Sequence, residues 1–247
     1  MPHLRTRLDT LLVERGLAPT REKAQALVLA GQVLVDGQPA RKPGQTVDPS
    51  AHVEVLAPLP YVSRGGIKLA HALDTFRISV EGKVCLDVGA STGGFTDCLL
   101  QRGARRVYAV DVGRGQLDLR LRRDPRVVVM EGVNARYPFP LPEPVDLITV
   151  DVSFISLRLV LPSVARHLGR GGTVLCLVKP QFEAPRQKVG KGGVVRDPTV
   201  HAQAIASVAV WAIGQGWRVR GITPSPILGD KGNREFFLWL EVPPVLP

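Results

Sequence analysis

The spacing of apolar positions changes near residue 60. Before that point it is helical: Leu8, Leu11 and Leu12 stand at i, i+3 and i+4, and Gly16 ends the run. A second stripe of Ala24, Leu27 and Val28 follows Thr20, a residue type that caps helix starts, and stops at Gly31. Residues 33–35, an Asp36-Gly37 turn and residues 53–55 then predict short strands. Beyond the proline-rich residues 57–60, apolar runs of strand length alternate with helical stripes. Strands are expected at 84–87, 107–111, 127–130, 145–152, 173–178, 218–222 and 235–241, and helices near 66–76, 94–102, 157–167 and 200–215. Alternation of this kind predicts a mostly parallel sheet with helices on both faces, and the last two strands, close in sequence, predict an antiparallel edge. The expected organisation is a small α+β domain over 1–57, a stiff linker over 58–62 and an α/β domain over 63–247.

The segment 84–100, VCLDVGASTGGFTDCLL, carries the strongest local signal. An apolar run ends at Asp87, a glycine-rich turn follows, and a helix pattern opens at Phe95, which is how an α/β sheet presents backbone to a nucleotide-like cofactor. The spacing is not the dinucleotide G-x-G-x-x-G, because Ala90, Ser91 and Thr92 follow Gly89. The next strand pattern ends at Asp111, an acid placed to take both hydroxyls of a ribose. These features fit S-adenosylmethionine (SAM) as well as NAD.

Composition narrows the setting. The 247 residues are 45% apolar, with no run long enough to span a membrane and no apolar leader after the first Met. Cys85, Cys98 and Cys176 are too scattered for a disulfide framework, and neither they nor the five His suggest a metal site. These features predict a soluble protein of the reducing cytoplasm. A net charge of +10 and a pI near 10.1 point to an anionic partner, most simply nucleic acid. Arg outnumbers Lys 24 to 8, which a GC-rich genome also produces. Residues 1–60 carry only +1 of this charge, so nucleic-acid binding there requires a local patch.

Charged residues at the carboxyl ends of strands face the ligand crevice of an open α/β sheet. Asp151 ends the fourth strand pattern and Lys179 the fifth; Lys68 opens a helix in S-R-G-G-I-K-L, and Glu235 enters the last strand.

The N-terminal pattern R-L-D-x-L-L-V-E-R-G-L-x-x-T-R, continued by G-x-V-x-V-D-G, resembles the S-four RNA-binding domain over most of residues 6–55. That resemblance implies a basic face at Arg7, Arg21 and Lys42. The Lys68, Asp151, Lys179 and Glu235 set resembles the tetrad of FtsJ-like ribose 2′-O-methyltransferases. Taken with S-R-G-G-x-K-L, L-D-V-G-A-S-T-G-G-F-T-D, D-V-S-F-I-S-L and V-K-P-Q-F-E, the chain is similar to the TlyA family, once labelled haemolysin A, across nearly its full length. The resemblance implies a Rossmann-like SAM-dependent methyltransferase domain behind an S-four domain. The implied activity is rRNA (cytidine-2′-O)-methylation of large-subunit (23S) rRNA, with small-subunit (16S) rRNA a further substrate of longer members. It implies rRNA or a ribosomal subunit as partner, no metal, and Arg64 as an added RNA contact.

A ribose 2′-hydroxyl is a poor nucleophile at neutral pH, so a base or strong acceptor must take its proton as it attacks the SAM methyl. Lys179 can do this if neutral, a state that like-charge repulsion from a nearby Lys68 favours. Asp151 would orient Lys179, and Glu235 would fix Lys68 or the ribose. On the cofactor side, Asp87, Gly89, Ser91, Gly93, Gly94 and Phe95 would line the methionine end, Asp111 would hold the ribose, and Asn134 would meet the adenine edge. The basic, glycine-rich segment 181–198 is expected to contact RNA and to order on binding. The rival reading is a non-catalytic rRNA-binding assembly factor that keeps the fold without binding SAM.

Overall fold

Helices as short as those predicted before residue 60 cannot persist alone and need apolar faces to pack against. The computed structural model describes residues 5–29, 31–56 and 59–244, without the side chains of Arg170 and Asp230, and it divides into units of residues 1–59 and 60–247. The expected linker over 58–62 falls partly outside the described residues, at 58, as does the last residue of the expected first domain, 57. In the first unit the order is β1 (Thr6–Arg7), α1 (Leu8–Glu14), α2 (Arg21–Leu29), β2 (Val33–Val35), β3 (Gln38–Pro39), β4 (Thr46–Val47) and β5 (Val53–Val55). Leu8, Leu12, Ala24, Val28 and Val33 bury into one core. Thr20 accepts the Lys23 N–H at 3.2 Å, which starts α2. Asp36 and Gly37 both adopt positive φ, as a two-residue hairpin turn requires, and so fold β3 back on β2; β5 pairs along the other edge.

The second unit runs α3 (Arg64–Phe76), β6 (Val84–Val88), α4 (Gly94–Gln101), β7 (Arg106–Asp111), α5 (Leu119–Arg123), β8 (Val127–Glu131), β9 (Val145–Val150), α6 (Leu157–Val164), β10 (Leu168–Val178), α7 (Pro180–Glu183), α8 (Pro198–Gly214), β11 (Arg218–Pro224) and β12 (Phe236–Val242). Its seven-stranded sheet has the order β11-β12-β10-β9-β6-β7-β8. β8, β7, β6, β9 and β10 are parallel, and β12 pairs antiparallel with both β10 and β11. Leu69, Leu73, Phe95 and Leu99 of α3 and α4 cover one face, while Leu157, Leu161, Val208 and Ala212 of α6 and α8 cover the other.

Three differences from the sequence expectations have local causes. β10 begins at Leu168, with a register shift before Thr173 across a glycine-rich stretch that tolerates the irregularity. The helix expected to reach residue 167 stays α-helical only to Val164; Pro162 removes an N–H donor inside it, and residues 165–167 tighten into a 3₁₀ turn. Within segment 181–198, expected as a loop, the stretch around residues 193–195 is tied to its neighbours. Asn233 accepts the Val195 N–H and donates to Gly193 O, both at 3.0 Å, and the His201 ring bonds Val195 O at 2.9 Å.

Asp87, expected on the cofactor wall, lies inside the sheet with none of its surface exposed. Thr96 Oγ1 of α4 donates to it at 2.7 Å and Thr149 Oγ1 of β9 at 2.9 Å, so one carboxyl ties three elements beneath the glycine turn. Burial pushes its pKa up to about 7, with the Asp151 charge adding and the two hydroxyls opposing. Because this value exceeds the unfolded one, the group's stabilising contribution is complete below the unfolded value and is lost as pH rises through about 7. We expect the stability of wild type relative to Asp87→Asn to fall by roughly 2 kcal/mol or more between pH 5 and pH 8. Urea midpoints measured across that range check this, and a pH-independent difference would refute it.

Candidate active site

The carboxyl ends of the parallel strands meet in three adjoining cavities. The largest, about 470 Å³, is lined by Gly89, Ser91, Asp111, Asn134, Asp151 and Phe154 among others. A second, about 240 Å³, adds Ser63, Arg64, Lys68, Gly94 and Phe95 and shares Gly89, Ser91 and Asp151 with the first. A third, about 310 Å³, takes in Lys68, Phe154, Lys179, Phe182, Lys231 and Glu235.

Gly89 is forced by close approach. Its φ is +84°, and a Cβ there would stand 2.3 Å from the backbone oxygen of Asp151. Two peptide N–H groups hold the Asp111 carboxylate at the cavity wall: Ser91 donates to Oδ2 at 2.8 Å and Gly113 to Oδ1 at 2.7 Å. Each oxygen keeps a further lone pair for a hydroxyl donor. Asn134 also lines the cavity, and its Oδ1 accepts the Arg136 N–H at 3.1 Å. Gly94 and Phe95 line the second cavity. Gly93 does not: its φ is +97°, and its α-carbon faces Leu117 and Leu121, where a Cβ would come within 2.2 Å of Leu121 Cδ1. Gly93 and Asp87 thus support the wall from beneath, since chain spacing alone does not tell a residue on a turn's outer side from one packed under it.

The four charged residues meet as two ion pairs. Lys68 Nζ lies 2.6 Å from Glu235 Oε2, with side-chain exposures of 12% and 3%. Lys179 Nζ lies 2.6 Å from Asp151 Oδ1, with exposures of 11% and 21%, and donates to Ser153 Oγ at 3.0 Å. Each amine faces its own carboxylate, in the pairing expected of Asp151 with Lys179 and of Glu235 with Lys68, so the Lys68 charge is balanced by Glu235 and not left bare toward Lys179.

Of the expected RNA contacts, Arg64 sits at the start of α3 on the second cavity. Arg7 and Arg21 both bind the carboxylate of Asp9, and the loop carrying Lys42 packs beside them, with Pro43 O accepting the Asp9 N–H at 3.0 Å.

Sequence reasoning passed over Phe154. It is 90% exposed with φ +63°, which a bulky residue adopts only under constraint, and its ring centroid lies 4.9 Å from that of Phe182. Glu183 anchors the same rim, accepting from Ser156 Oγ at 2.6 Å and from Leu157 N at 2.7 Å, and burial pushes its carboxyl pKa up. The available signal was an aromatic standing where a strand leaves the sheet, in D-V-S-F-I-S-L, which reads equally as core.

A glycine turn after the first parallel strand, an acid ending the second and an antiparallel β12 define the architecture of SAM-dependent methyltransferases. The FtsJ-like methyltransferase model matches residues 61–242 and the S4 domain model residues 6–53. The 16S/23S rRNA (cytidine-2′-O)-methyltransferase TlyA of Mycobacterium tuberculosis is 49% identical over 240 residues, covering 96% of this chain and 90% of its own. Hemolysin A of Brachyspira hyodysenteriae is 42% identical, covering 93% and 97%. A solved structure of a candidate hemolysin from Streptococcus thermophilus is 45% identical, with a TM-score of 0.76, covering 97% of this chain and 89% of that one. The chain belongs to the FtsJ-like methyltransferase family, in the S4-bearing branch that contains the TlyA proteins. Among the described residues no helix is long and apolar enough to cross a membrane.

The cavity fits SAM: Gly89 leaves room at the strand end, the Asp111 carboxylate is braced by backbone at the wall, and the volume lies within the range of ligand pockets. Gly89→Ala would drive a methyl group into the Asp151 carbonyl and displace the turn. We expect at least a tenfold loss of affinity for S-adenosylhomocysteine, about 1.4 kcal/mol, by calorimetric titration. Unchanged affinity would remove the turn from the cofactor site.

Proposed function

We propose that this protein is a SAM-dependent rRNA (cytidine-2′-O)-methyltransferase acting on large-subunit rRNA, with residues 63–247 as the catalytic module, 58–62 as linker and 1–57 as the RNA-holding module. The observation that carries the reading is the Lys179–Asp151 pair, whose carboxylate also borders the cavity that fits the cofactor. The same reading puts the enzyme in the cytoplasm, with rRNA or a ribosomal subunit as its partner. Small-subunit rRNA is the second substrate to assay, because the M. tuberculosis relative carries both subunits in its name.

Bound SAM supplies an electrophilic methyl group on a cationic sulfur. In its neutral form, its own proton first passed to solvent, Lys179 accepts the 2′-hydroxyl proton as the ribose oxygen attacks, and Asp151 holds the amine in place and balances the charge it then gains. The Lys68–Glu235 pair fixes the far side of the ribose from the third cavity. In-line placement of oxygen and methyl supplies much of the rate. Asp111 binds the cofactor ribose, and Gly89, Ser91, Gly94 and Phe95 border its amino-acid end. Phe154 and Phe182 offer aromatic faces to an unstacked base, the usual mode of reading single-stranded RNA.

Lys179→Ala should abolish methyl transfer while SAM and rRNA affinities stay near wild type, because its role is at the hydroxyl. Retention of even a tenth of wild-type turnover, a barrier change of about 1.4 kcal/mol, would exclude it from the proton transfer. Phe154→Ala should weaken rRNA binding by about 1–3 kcal/mol, the usual worth of one base stack, without altering cofactor affinity. Equal rRNA affinity in the variant would leave the exposed ring without this role.

A further inference from the structure

Asp9 opens α1 with none of its surface exposed, an unusual place for a carboxylate in a unit with so small a core. Four side chains converge on it, Thr10 Oγ1 at 3.5 Å the most distant. Arg7 grips both oxygens, Nε to Oδ1 at 3.0 Å and Nη2 to Oδ2 at 2.8 Å. Arg21 Nε reaches Oδ2 at 3.2 Å and Gln25 Nε2 reaches it at 2.9 Å. The Arg7 guanidinium holds the Asp9 carboxyl well below the usual carboxylate range against the opposing effect of burial, so the acid stays charged at any physiological pH. On its other side Arg7 rests against Gly44, where an added Cβ would stand 2.8 Å from Nη2. The arginine is therefore clamped between a buried carboxylate and the loop that bears Lys42.

Both arginines nevertheless stay half exposed, at 48% and 52%. A guanidinium has five N–H donors; Arg7 spends two on Asp9 and Arg21 one, so each keeps donors for an outside acceptor. Two long side chains that would otherwise lose rotamer entropy on meeting a ligand are held in advance. We infer that Asp9 is the positioning residue of the RNA-holding surface: it sets the Arg7 and Arg21 guanidiniums as a fixed pair for two phosphodiesters of the rRNA. This rests on the reading that the N-terminal unit holds rRNA through Arg7, Arg21 and Lys42.

Positioning and simple electrostatics predict opposite signs. Asp9→Asn removes a negative charge beside two cations, so charge alone predicts tighter binding to a polyanion, whereas positioning predicts weaker binding. The test measures affinity of the full chain for transcribed large-subunit rRNA across a salt series, with thermal unfolding and S-adenosylhomocysteine titration as controls. We expect Asp9→Asn to weaken binding by about fivefold or more at 0.1 M salt, with a salt dependence as steep as wild type because both cations remain. Equal or tighter binding by the folded variant overturns the inference. If Asp9→Asn does not fold, Arg7→Lys replaces it: this keeps the charge but cannot make the two-pronged bond. It should lose most of the affinity that Arg7→Ala loses, and binding at the wild-type level overturns the inference. The Arg7, Arg21 and Lys42 triple alanine variant separates the two failures. It should flatten the salt slope by roughly one unit for each phosphate it no longer neutralises. Wild-type binding by that variant would refute the RNA-holding surface itself.

Discussion

The exits of β6 and β9 touch, and the rest of the site depends on that contact. The Asp151 N–H donates to Val88 O at 2.9 Å, and the next carbonyl sits so near Gly89 that no side chain fits there. Parallel neighbours in a twisted sheet bring their carboxyl ends together in this way, and two adjoining cavities share Gly89 and Asp151. Asp87 holds the arrangement from below by tying β6 to β9 and to α4. Lys179 arrives from β10, the neighbour of β9, so Gly89, Asp151 and Lys179 follow directly on three adjacent strands, with Lys68 brought in by α3 and Glu235 just before β12. Sites carried on regular elements are held more tightly than sites on loops.

Charge is arranged in the same spirit in both units. The cations that matter most are each paired with a poorly exposed carboxylate: Lys68 with Glu235, Lys179 with Asp151, and Arg7 and Arg21 with Asp9. Removing one member of such a pair leaves a charge in a poorly solvated place, so the pairs specify geometry more than they add stability. The chain's net charge of +10 acts at longer range, drawing a polyanion to the surface, and on the proposed reading the paired cations set where it rests.

The parallel strands were legible because each is a short apolar run that ends in a charge or a glycine, and the sheet buries both of its faces. α5 was not legible: Leu119–Arg123 reads LRLRR, and only Leu121 is buried, packed near Gly93. Position at a strand end picked out Asp151 and Lys179, position at an element's start picked out Lys68 and Glu235, and the family resemblance suggested which acid serves which amine; strand order, a property of the fold, brings the pairs together. The Asp9 cluster was hidden for a related reason. An acid beside Leu8 in an amphipathic helix looks solvated until Arg21 and Gln25 of the next helix close over it. Asp87 and Gly93 were placed on the cavity wall because a turn's sequence does not reveal which of its sides meets the ligand.

The most direct test of the account is the identity of the methylated nucleoside. Purified protein, SAM and large-subunit rRNA should yield 2′-O-methylcytidine after nuclease digestion and mass spectrometry, with the label on the sugar fragment and none in the Lys179→Ala reaction. A methyl group on the base, or no transfer by a protein that binds both SAM and the rRNA, would contradict the assignment of the Lys179–Asp151 pair to a ribose hydroxyl.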